Sequence, residues 1–150
     1  MLLKFTTLVM FVVLSFASAV QAAGEDFLKA ISWVESRHND NAVGDGGKAI
    51  GRYQIWEIYW IDAVKSEHWL GARGEQNRYA RCKEAAYAAM VVKSYLNRYA
   101  PDEYELVFVL GVRDMRAMEK LARIHNGGPR GHTKKATEPY WAKVKAELLK

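Results

Sequence analysis

Three short blocks of this chain carry side chains able to do chemistry together. They are Trp33-Val34-Glu35-Ser36, Gly51-Arg52-Tyr53-Gln54-Ile55 and Ile124-His125-Asn126-Gly127-Gly128-Pro129, with Asp45 between the first two. A carboxyl at a helix end, a second one on a glycine-rich loop and a distant Asn-Gly turn are parts that acid-assisted cleavage of a glycosidic bond can use. One carboxyl protonates the leaving oxygen, and the other meets the positive charge that develops on the sugar. Glu35 is the candidate acid. Leu28, Ile31 and Glu35 fall at i, i+3 and i+7, so on a helix over 25–36 the carboxyl projects from the apolar stripe and not from the wet face. Burial and the negative end of the helix dipole both favour its protonated form. The bland alternative is an ion pair with Arg37 or Arg52. For Asp45 it is a turn-forming role, since Asp before Gly is a common turn pair.

The elements that must position these groups follow from spacing and breakers. Arg37 to Gly47 is turn chemistry, predicting loops or a small hairpin beside a cleft, and Ala49 to Trp56 reads as a short extended run. Glu57 to Ser66 returns to helical period through Tyr59, Trp60, Ala63 and Val64, and Gly71 and Gly74 mark a loop. Glu75 to Tyr99 reads as the longest helix, with Tyr79, Ala86, Met90 and Leu96 among its apolar positions and Pro101 as its stop. Leu106 to Leu110 is too short to separate strand from helix. Asp114 can cap a helix running to about His125, closed by Asn126-Gly127; a last helix follows Thr137, with Pro139 in its first turn and Trp141, Val144 and Leu148 on one face. The fold class is mainly α (α+β).

Residues 1–23 read as an export leader: Lys4 precedes an apolar stretch from Leu8 to Phe16, and small residues Ala17, Ser18, Ala19, Ala22 and Ala23 follow, so cleavage after Ala19 or Ala22 is expected. The uncharged run from Phe5 to Val20 is short for a bilayer span. Residues 24–150 make one domain. Setting Lys4 aside leaves 21 basic against 17 acidic residues, a surplus that draws the chain toward anionic polymers. No basic run is interleaved with aromatics as in a nucleic-acid groove. Cys82 is the only cysteine, so no intramolecular disulfide can form. His38, His68 and His132 lack ligand-like spacing with Cys82, and the Asp40 to Asp45 loop is not an EF-hand, so neither metal nor cofactor is expected.

Taken together, Glu35-Ser36, Asp45-Gly46-Gly47 through Gly51-Arg52-Tyr53-Gln54-Ile55, Tyr59-Trp60-Ile61-Asp62, Ala122 through Gly131, and Thr137 with Tyr140-Trp141 and Val144 resemble the invertebrate-type lysozymes, which include the destabilases. The similarity spans nearly all of residues 30–145. It implies a lysozyme-like fold whose cleft hydrolyses the N-acetylmuramic acid to N-acetylglucosamine bond of peptidoglycan, with Glu35 as general acid and Asp45 as second carboxylate. Animal members are rich in disulfides and this chain has none. The stretch from Lys48 to Ile50 also lacks the serine and cysteine often found there, so the isopeptidase activity described for destabilases is not carried over.

Tyr53, Gln54, His125 and Asn126 are expected to line the sugar sites, since amides and ring faces suit acetamido groups and pyranose rings. For His125 a structural role at the helix end is the alternative; Trp56, Tyr59, Trp60 and Trp141 are expected in the core. The partners expected are peptidoglycan glycan strands, with no nucleic acid and no membrane after leader removal. The protein is expected to be a secreted or periplasmic monomer. Two rival functions remain: a lytic transglycosylase that uses Glu35 alone, and a cationic glycan-binding protein without turnover.

Overall fold

The computed structural model describes residues 22–66 and 78–150. Most of the expected leader, His68, the Gly71 and Gly74 loop and the start of the helix expected from Glu75 lie outside the described residues. The first helix, α1, covers 22–36 and sinks Phe27, Leu28, Ala30 and Ile31 into the core, the stripe predicted from their spacing. Ala22 and Ala23, within the expected leader, are already helical, and Ala23 is buried. Arg37 and His38 end it: both take left-handed φ angles, 57° and 63°, while the Arg37 amide still bonds the Trp33 carbonyl at 3.0 Å.

The turn-rich segment that follows forms a three-stranded antiparallel sheet, β1 (Val43–Gly44), β2 (Ala49–Ile50) and β3 (Ile55–Trp56), in the order β1-β2-β3. Val43 pairs with Ile50, and Ile50 in turn with Ile55. A Cβ at Gly51 would lie 2.1 Å from the Cys82 carbonyl oxygen, and φ there is 74°. Only glycine lets the sheet loop approach the backbone of 82 so closely.

That contact bears on the segment before α3. The continuous helix expected from Glu75 is instead a 3₁₀ segment, Arg78–Lys83, an extended Glu84, and then α3 (Ala85–Tyr99). The face that α3 buries is Tyr87, Ala88, Val91, Val92, Tyr95 and Leu96, whereas Ala86 and Met90, expected inside, are exposed. Leu96, another of the apolar positions, is fully buried as its type suggests, and the break at Glu84 shows tertiary contact overriding local propensity.

α2 (Glu57–Ser66) packs on α3, with the Ser94 hydroxyl bonded to the Ala63 carbonyl at 2.9 Å and the Trp60 indole N–H to the Tyr87 hydroxyl at 2.9 Å. Pro101 ends α3 and also opens α4 (Pro101–Tyr104), at the first position where its missing N–H costs nothing. Leu106 to Leu110 proves to be largely a π-helical turn, Glu105–Val109. α5 (Met115–Gly127) is capped as expected: Asp114 Oδ1 accepts from the amides of Arg116 at 2.8 Å and Ala117 at 2.9 Å. It inserts Met118, Leu121 and Ile124, all fully buried, at about 1.5–3 kcal/mol each. α6 (Glu138–Leu148) closes the core with Trp141, Val144 and Leu148.

Candidate active site

Glu35 stands in the last turn of α1 with its side chain 17% exposed, at the edge of a cleft of about 310 Å³. The same cleft is walled by Asp45, Gln54, Trp56, Tyr59, Asp62, Tyr95, His125, Asn126, Gly128 and Pro129, together with Ile58. Neither arginine named as an alternative partner is used on Glu35. Arg52 grips both oxygens of Asp40, at 2.5 and 2.8 Å, and holds that carboxyl below its usual range, while the Arg37 guanidinium lies 4.5 Å over the Trp33 ring.

Among the described residues, the one basic group within ion-pair distance of Glu35 is His125, whose Nε2 is 3.5 Å from Oε1. Its protonation pattern follows from its neighbours. Nε2 also faces the Tyr53 carbonyl at 3.2 Å; both groups there are acceptors, so Nε2 carries a proton. Nδ1 lies 3.0 Å from the Tyr59 hydroxyl, which donates to it in the neutral ring. Tyr59 is itself fixed by stacking on Tyr95, centroids 3.6 Å apart. Tyr140 packs nearby, 6.5 Å from the His125 ring centre; its hydroxyl is buried with no hydrogen bond of ordinary geometry, and burial, then the Glu35 charge, hold the phenol well above its usual range.

Asp45 arrives differently. It opens the single 3₁₀ turn Asp45–Gly47 between β1 and β2, and its φ of 49° is followed by 64° and 96° at Gly46 and Gly47. Asp is among the few side chains that tolerate this region, so the turn-forming role is real, and it aims the carboxylate. Oδ2 accepts from the Trp56 indole N–H at 3.0 Å. Ser36 ties the two halves together, its hydroxyl bonding the Arg52 carbonyl at 2.9 Å.

Of the expected sugar-site residues, Gln54, His125 and Asn126 reach the cleft and the Tyr53 side chain does not. The Tyr53 ring is buried in the core and borders a different groove beside Leu28 and Lys29; its contribution to the site is the carbonyl that holds His125. Gln54, at a φ of 48°, bonds the Gly51 carbonyl through Nε2 at 2.9 Å and lays its oxygen over Gly44, where a Cβ would be only 2.2 Å away. His125 has both roles weighed for it, bonded at a helix end and present in the cleft. Trp56 was misplaced: 40% exposed, it lines the cleft. The signal was present in the two-residue period of β3, since Ile55 turns inward and must send Trp56 out.

A second groove of about 500 Å³ lies where α1 meets α6, but its acids are taken: Asp26 pairs with Arg113 at 3.4 Å and Glu147 with Lys150 at 2.7 Å. An acid free of cationic partners belongs to the smaller cleft.

The destabilase family profile matches residues 24–147. The chain is 36% identical over 132 residues to invertebrate-type lysozyme 6 of Caenorhabditis elegans, covering 86% of this chain and 90% of that protein. It is 34% identical over 100 residues to the lysozyme of Meretrix lusoria, covering 66% of this chain and 67% of that protein. The crystal structure of Aeromonas hydrophila PliI in complex with Meretrix lusoria lysozyme is similar with a TM-score of 0.59 at 29% identity, covering 85% of this chain and 90% of that chain. The similarity in sequence and in fold thus runs along almost the whole folded length. The chain belongs to the destabilase family of invertebrate-type lysozymes.

Proposed function

We propose that the protein is an exported muramidase, hydrolysing the β-1,4 bond between N-acetylmuramic acid and N-acetylglucosamine in peptidoglycan. The observation that supports this reading is one cleft lined by three acids, of which Asp62 is bonded to the Tyr99 hydroxyl, while Glu35 is half-buried beside His125 and Asp45 is open to solvent on the turn between β1 and β2. Glu35 gives its proton to the leaving oxygen. Asp45 meets the oxocarbenium-like centre, and water activated by the now ionised Glu35 completes the reaction. Gln54 and Asn126 supply amides suited to acetamido groups. Cleavage of the leader after either Ala19 or Ala22 would keep the buried Ala23 within the mature chain.

Mass spectrometry of digested peptidoglycan tests the reaction. Hydrolysis leaves a reducing muramic acid end carrying one added water, whereas an anhydro end would assign the chain to the transglycosylases. No release of fragments, with binding retained, would make it a glycan-binding protein.

A further inference from the structure

Asp45 has a problem that Glu35 does not. Its side chain is exposed, it sits in a turn of three left-handed residues, and no cation lies within ion-pair distance among the described residues. A carboxylate so placed would sample several rotamers. We infer that Trp56 is the positioning residue that prevents this: its indole N–H holds Oδ2 of Asp45 and leaves Oδ1 to face the sugar. The inference rests on the two-carboxylate reading above.

The donor is rigid because its strand is. Trp56 pairs with Ala49 across the β2–β3 ladder, and the Tyr79 hydroxyl, 2.8 Å from the Ile55 carbonyl and 3.0 Å from that of Lys48, shares its one proton between the two paired sides of the hairpin. The Lys48 ammonium lies 5.6 Å from the centre of the indole ring, which adds a cation-π contact on that ring without forming an ion pair with Asp45. The kind of donor matters as much as its place. An indole N–H can only donate, so it favours an ionised oxygen as its partner. It also brings no net charge. An arginine in the same position would orient the carboxylate but oppose the positive charge developing on the sugar, which is the charge Asp45 is there to meet.

Trp56→Phe removes the donor while keeping a ring beside Lys48. On soluble peptidoglycan fragments, kcat is expected to fall about ten- to thirtyfold with KM within about twofold and an unchanged melting temperature. In an Asp45→Gly background, where the acceptor is gone, the same change should cost less than about twofold, because its effect runs through Asp45. Equal losses in both backgrounds, or a wild-type kcat for Trp56→Phe, would overturn the inference while leaving the hydrolase reading in place. A readout free of turnover is the Trp56 indole resonance in a ¹H–¹⁵N spectrum. It should move upfield in Asp45→Gly, where glycine accepts the left-handed turn and removes the acceptor; an unmoved resonance overturns the contact itself. A wild-type chain that cleaves no glycan would instead overturn the hydrolase reading, and this inference with it.

Discussion

Glu35 is delivered by the end of a long helix whose other inward side chains are core, and Asp45 by a three-residue turn on the exposed edge of a small sheet. The first seat is partly buried and is bordered by groups fixed through their own packing, the Tyr59–Tyr95 stack and the buried His125. The second is wet, and its carboxylate is held by one hydrogen bond from a neighbouring strand. The contrast fits the chemistry proposed for each. The proposed proton donor leaves the end of a helix packed against the core. A group that must stay charged needs solvent and a neutral orienting donor, which a hairpin supplies.

The sharpest way to break this comparison is to remove each carboxyl in turn. Glu35→Gln keeps shape but has no proton to give, so turnover should fall about a thousandfold or more with folding intact, read as product release and by thermal melting. A rate near wild type would take Glu35 out of the mechanism. Asp45→Asn should fall less, about ten- to a hundredfold, because Asn keeps a dipole near the developing charge and also tolerates the left-handed φ. An Asn enzyme with full activity would reduce Asp45 to its turn and favour a single-acid transglycosylase, especially with anhydro products present.

Stability measurements sharpen the same contrast. Gly51→Ala places a methyl 2.1 Å from the Cys82 carbonyl oxygen at a φ of 74°, so the seat of the sheet should weaken by about 2–4 kcal/mol in urea unfolding. An unchanged midpoint would mean that the close approach is not fixed. Tyr59→Phe leaves Nδ1 of His125 without its donor and should cost about 1–3 kcal/mol; the ¹⁵N spectrum of His125 would then show loss of its single tautomer. Smallest is Asp40→Asn, which removes a largely exposed pair with Arg52 and should cost about 1 kcal/mol or less at neutral pH. The Arg52 hydrogen bond lowers the folded-state value of Asp40 below 3.8. The stabilisation is therefore complete above that value and fades as pH falls through the folded one, so variant and wild type should melt alike in strong acid.

Much of the scaffold was readable because local rules and global packing agreed. Leu28 and Ile31 share the α1 stripe from which Glu35 emerges, Asp114 caps α5, Pro139 opens α6, and the Gly-rich run at 44–47 turns the chain. What escaped depended on contacts between distant segments. The 3₁₀ segment before α3 sits where Cys82 meets Gly51, Tyr53 turns its ring into the core while its carbonyl serves the site, and Trp56 is drawn to Asp45 across the hairpin. That neither arginine pairs with Glu35 could not be read either, because Arg37 and Arg52 are occupied by Trp33 and Asp40, choices that spacing alone leaves open.

The Tyr79 hydroxyl joins two carbonyls that lie at the two paired strands of a hairpin, and the lone thiol nearby at Cys82 is buried. These are reversible ties, made wherever the chain collapses, and they do not wait for an oxidant. A cystine-dependent enzyme stays harmless inside the cell that makes it, because its fold is completed only after export. This chain has no such delay. In the export proposed above, translocation would have to outrun folding, and a version lacking residues 1–22 should be folded and active in a reducing cytosol, with a melting temperature indifferent to added thiol.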